Sequence, residues 1–213
     1  MQFTNYNAFR VAVQHLFEGD DSAGNTFSVN TLDTLIGLGE ERVYHGDGKT
    51  SGLRVSAMVT PLSVVVTNNA AALPADLLEL KEVYFSGKPP LDVIPLDRMR
   101  AMEANDDAAG AETRYCAQDG DTLRFWPVAS GTVLGSYYAK PAALEAVTWA
   151  DATTFARYPQ LFLYAALYEG AVFLGMTDKM PLWELKYRDL ADGANHSERM
   201  RVYGGGPLKM RTR

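Results

Sequence analysis

The stretch Arg114-Tyr-Cys-Ala-Gln-Asp-Gly-Asp-Thr-Leu-Arg-Phe-Trp126 decides the fold class. Two runs rich in aromatic and β-compatible residues, RYCAQ and TLRFW, flank Asp119-Gly120-Asp121, and such residues accept turn geometry readily. The pattern predicts a β-hairpin with a well-fixed register. Outward from it, between about Leu53 and Tyr138, further runs of the same kind are broken by turn residues: LRVSAMV, LSVVVT, LKEVYF, LDVIP, LRFWP and TVLGSYYA. These read as short strands. The centre of the chain is therefore expected to be antiparallel and β-rich, over residues 53–141.

On either side the period changes from two to 3.6. Residues 4–17 place Phe9, Val13, Leu16 and Phe17 at helical spacing, with Thr4 or Asn5 as cap. A second helix fits residues 30–44, with Thr31 and Asp33 at its start, although Gly37 and Gly39 weaken it. After Trp149 the chain returns to helix. Pro159 suits a first turn, Leu161, Ala165, Tyr168 and Val172 form one stripe, and Phe162, Ala166 and Phe173 form another. A helix apolar on two stripes must be covered on two sides. Ala165, Ala166, Gly170, Ala171 and Gly175 leave it smooth enough for a second helix or a neighbouring subunit to approach closely. Ala165, Ala166, Tyr168, Gly170 and Val172, with Trp183 and Tyr187 of a last helix over 179–200, are the candidate subunit-packing residues. The expected architecture is α+β: helices at the N- and C-termini (4–44 and 155–198) packed around the β-rich centre as one domain over 1–198. An extended basic arm follows over 199–213, within which Gly204, Gly205, Gly206 and Pro207 end regular structure.

Composition narrows the classes. The chain has 213 residues, enough to bury a core without staples. It has a single cysteine, Cys116, which excludes an intramolecular disulfide framework and fits a reducing compartment. Placed within a strand, Cys116 reads as buried packing. No secretory signal is expected at the N-terminus. The most apolar stretch, 161–176, contains Glu169 and is shorter than the roughly 20 residues that span a bilayer, so no membrane segment is expected. The net charge is −6, yet Arg199, Arg201, Lys209, Arg211 and Arg213 cluster without an acid among them.

Catalytic and cofactor chemistry finds little support. Gly48-Lys49-Thr50 resembles the end of a phosphate-binding loop, but the first glycine of that motif would fall on Val43, inside a helix. His15, His45 and His196 include no pair at the spacing of a helical metal site. His196 and Ser197 are neighbours in sequence, which points their side chains apart. The carboxylate pairs Asp20/Asp21, Glu40/Glu41 and Asp106/Asp107 lie in polar stretches, whereas glycoside hydrolysis requires two carboxylates across a cleft with one in apolar surroundings. Residues 105–116 match a calcium loop poorly, because its fifth and twelfth positions are Ala109 and Cys116. Residues 104–112 read as a solvated acidic loop. No catalytic residue, metal or cofactor is expected, and the chain is not expected to be an enzyme.

Three blocks carry a resemblance. LPADLLELKEVYFSGKPPLDVIPLDRMRAME (73–103) has a Leu-Pro-x-Asp segment leading into a strand and then a short helix. RYCAQDGDTLRFWPVASGTVLGSYYAKPAAL (114–144) has a hairpin ending in Trp126-Pro127 and a strand with Tyr137, Tyr138 and Pro141. YPQLFLYAALYEGAVFLGMTDKMPLWELKYRDL (158–190) has a helix pair beginning at Tyr158-Pro159. In this order the blocks resemble the head-to-tail adaptor, or head-completion, family of tailed bacteriophages, over roughly Leu73 to Leu190. The resemblance implies a structural protein of the virion neck, assembled in the host cytoplasm. It implies a homo-oligomeric ring, typically dodecameric, between the portal protein and a tail or nozzle protein, with DNA passing through the lumen without specific binding. An acidic chain suits such a lumen, since like charge discourages phosphate contact.

Some adaptors dock C-terminal segments onto the portal; here that implies Arg199, Arg201, Tyr203, Leu208, Lys209, Met210, Arg211 and Arg213, folding on docking. The alternatives are another neck or tail-tube component and a virion-associated peptidoglycan hydrolase.

Overall fold

The computed structural model describes residues 3–18, 28–105, 112–127, 129–149 and 152–202. It is α+β, with helices toward both termini and the sheets between them. The contacts divide the chain into two compact units, one formed by residues 1–57 with 141–213 and one by 58–140.

The first unit is helical. α1 (Tyr6–Glu18) starts where Asn5 Oδ1 accepts from the N–H of Ala8 at 2.8 Å. α2 (Val29–His45) is capped by Ser28, whose Oγ accepts from the N–H of Thr31. Asp33, expected near that cap, instead accepts from the Tyr6 hydroxyl at 2.9 Å and pairs with Arg10, joining α2 to α1. α4 (Thr153–Arg157) is a separate short helix at the start of the region expected to be helical from 155 onward. α5 (Pro159–Leu174) opens on Pro159 and closes on Gly175, whose φ of 67° is the left-handed cap that glycine tolerates. α6 (Met180–Val202) follows after a short turn.

α5 is the axis of this unit. Leu161, Phe162, Leu163, Ala165, Ala166, Leu167, Gly170 and Ala171 are all buried. Its small residues meet other helices of the same chain. A Cβ added at Gly39 of α2 would lie 2.7 Å from the Ala166 nitrogen, so glycine sets that approach. Gly170 receives the ring of Phe17 from α1, and Phe17 stands edge-on to Trp183 of α6 at 5.4 Å.

The second unit is a sandwich of two sheets with one helix on its outside. β1 (Val59–Val66), β7 (Gly131–Ala139) and β3 (Leu77–Phe85) form an antiparallel sheet in the order β1-β7-β3. β2 (Ala70–Ala72), β6 (Thr122–Trp126), β5 (Tyr115–Asp119) and β4 (Asp92–Val93) form the other, in the order β2-β6-β5-β4. β4 joins β5 in parallel, the one departure from an antiparallel centre among the described residues. The expected hairpin is β5–β6, with Asp119 paired to Thr122 around Gly120, whose φ is 60°. Leu62, Val66, Val83, Val133 and Tyr137 from one sheet enclose a core with Ala71, Cys116, Leu123 and Phe125 from the other. Strand alternation turns the next residues outward. Ala117 and Trp126 therefore face α3 (Leu96–Asn105), whose Met99 is fully buried against Ala117 and Ile94.

Two expectations need correction. Residues 53–58 of the run LRVSAMV do not form a strand: their N–H groups donate to helical residues, Leu53 to the Val43 carbonyl at 2.8 Å, Arg54 to Asn195 Oδ1 at 2.9 Å and Ser56 to Glu198 Oε2 at 3.4 Å. A 3-10 turn over Ser56–Met58 then leads into β1. The arm also starts later than expected, because α6 carries Arg199 and Arg201 within its last turns. Residues 106–111 of the acidic loop, and Tyr203, the glycine triplet, Leu208, Lys209, Met210, Arg211 and Arg213, lie outside the described residues.

Candidate docking surfaces

Polar side chains in the helical unit gather at two hubs. At the first, Arg42 near the end of α2 donates through Nε to Glu169 of α5 at 2.5 Å and through Nη1 to Asp47 at 3.0 Å. Its guanidinium also lies 4.3 Å above the Tyr168 ring, and its carbonyl accepts from the Tyr187 hydroxyl at 2.9 Å. Burial lowers the Arg42 pKa, but the hydrogen bond and charge of Glu169 outweigh it and hold the guanidinium charged. Burial would raise the Asp47 carboxyl. The N–H groups of Thr50 and Lys49, at 2.7 and 3.0 Å, and the charge of Arg42 prevail and bring it below its ordinary value.

The same geometry disposes of nucleotide binding at Gly48-Lys49-Thr50. The loop N–H groups that a phosphate would need are taken by Asp47, and Lys49 pairs with Glu184 at 3.3 Å. This hub joins three helices and a loop and presents no nucleophile beside a base.

The second hub is Glu198, buried on α6. It accepts from the Ser56 N–H and hydroxyl, from Arg157 at 3.1 Å and from the Tyr158 hydroxyl at 3.4 Å, with Arg201 one turn away at 3.8 Å. One turn earlier Asn195 accepts from the Arg54 N–H and donates to the Gly52 carbonyl at 3.3 Å. The outgoing chain at 52–56 is thus fastened to α6. The returning chain is fastened to α2, where both oxygens of buried Glu40 accept from the Leu144 N–H at 3.2 Å.

Sequence reasoning did not single out either hub. A signal existed for the second, since Asn195 and Glu198 continue the buried face of α6 marked by Tyr187, Ala191 and Ala194, and a polar residue on an apolar face needs a partner.

The candidate subunit-packing residues separate into two groups. Ala165, Ala166, Gly170, Trp183 and Tyr187 are buried within the chain, and Tyr168 lies under Arg42. Val172 remains 48% exposed, beside Phe173 at 66% and ahead of Leu182 and Leu185 of α6 at 55% and 56%. Among the candidate portal-docking residues, Arg199 and Arg201 are exposed on α6. Cys116 is fully buried in the sandwich, and burial pushes its thiol up to about 12, so it is inert packing. Among the described residues no group of His, Cys, Asp and Glu could hold a metal ion, and no helix is long and apolar enough to cross a membrane.

No curated protein matches the chain. The family model of the SU10 adaptor protein matches residues 4–211, nearly the whole sequence, and the chain therefore belongs to that family of phage head-tail adaptors.

Proposed function

We propose that the protein is a structural subunit of the virion neck that assembles as a homo-oligomeric ring, of dodecameric order, beneath the portal and joins it to a tail or nozzle protein. DNA passes through the ring without specific binding. The single observation that carries this reading is the family match over residues 4–211. It is supported by the exposed apolar residues Val172, Phe173, Leu182 and Leu185, which are large side chains left in water by the isolated chain. In this reading they form the lateral contact, alongside Tyr168, while Ala165, Ala166, Gly170, Trp183 and Tyr187 support it from within.

The segment that follows α6 is proposed to dock on the portal. Arg199 and Arg201 lead into Tyr203, Leu208, Lys209, Met210, Arg211 and Arg213, where cations orient the segment and Leu208 and Met210 supply apolar contact. Assembly takes place in the host cytoplasm and needs no cofactor.

The test is the mass in solution, by native mass spectrometry or light scattering, of the protein alone and with its cognate portal. The expected result is a ring-sized complex with portal that is lost on deleting 203–213, a truncation that leaves α6 intact. A monomer indifferent to portal would overturn the reading.

A further inference from the structure

We draw no further inference here: the strongest candidate, the outer face of α6 around Gly193, where an added Cβ would meet open space on a helix that also exposes Leu182, Leu185 and Met200, carries nothing because nothing in the structure shows what covers it.

Discussion

The helical unit and the β unit solve the same problem, burying a core, by different means. In the helical unit the parts that meet are far apart in sequence: Arg42 reaches Glu169, Arg54 reaches Asn195, and Glu40 reaches Leu144. These ties are polar and partly or wholly buried, and they fasten α2, α5, α6 and the segments at 52–56 and 144 to one another within this unit. In the β unit the ties are ladders between strands, and its main core is apolar apart from the Tyr137 hydroxyl, which donates to Asp76. The first arrangement fixes geometry at the expense of desolvating charge. The second leaves backbone groups available at its edges.

Core truncation is the largest expected effect, and it tests whether the two units are separable. Phe162→Ala in α5 removes a side chain that packs on Tyr44 and Phe155, with ring centroids 5.8 and 5.4 Å away. Phe125→Ala removes the ring against Phe85 in the sandwich. Each should cost about 3–5 kcal/mol. Hydrogen exchange should show the loss concentrated in the unit that carries the substitution. Equal loosening of both units by either variant would mean that they unfold as one.

Next comes the Arg42 hub. Arg42→Met keeps the stem but leaves Glu169 and Asp47 without their cation, and urea unfolding should show a loss of about 2–3 kcal/mol, below the value for a fully buried pair because these groups retain some solvent. Asp47→Asn keeps the oxygen that accepts from Lys49 and Thr50 and removes only the charge. The Asp47 carboxyl is lowered in the folded chain, so its contribution is present above its unfolded pKa and lost as pH falls through the folded one. The asparagine variant should therefore be less stable than the parent at neutral pH and approach it in acid.

Asn195→Ala isolates one crossing. It orphans the Arg54 N–H and the Gly52 carbonyl together, for an expected loss of about 1–3 kcal/mol. Faster exchange at 52–56 with the strands unchanged would confirm that α6 holds this crossing.

What was legible in the sequence follows the same division. The β5–β6 hairpin was readable because strand pattern and turn lie within thirteen residues of one another, Arg114 to Trp126. α5 was readable because its start, stop and apolar faces are local. LRVSAMV misled because its residues suit a strand, whereas the acceptors for its N–H groups come from α2 and α6, the latter some 140 residues away. β2, the run Ala70-Ala71-Ala72, has no strand propensity and is held by pairing with β6. The smooth face of α5 correctly announced a close neighbour. Which neighbour was decided by Gly39 and Phe17, glycine having been counted against α2 when it is what lets α2 approach. The hubs escaped because a carboxylate on a helix looks solvated until its donors are placed around it.

The smallest expected effect bears on how α2 begins. The sequence put Thr31 and Asp33 at its start, yet Ser28 is the cap, its Oγ 3.2 Å from the Thr31 nitrogen and 2.8 Å from the Thr31 hydroxyl. Ser28→Ala should cost about 1 kcal/mol, measured by urea unfolding, and the loss should fray only the first turn. Asp33 then becomes informative. Its oxygens are committed to Tyr6 and Arg10 rather than to the helix end, so Asp33→Asn should weaken the α1–α2 contact without fraying that turn. Exchange at Asn30 to Asp33 that accelerates in the serine variant and not in the Asp33 variant would show that capping and helix–helix attachment are separate jobs here, done by two residues five apart.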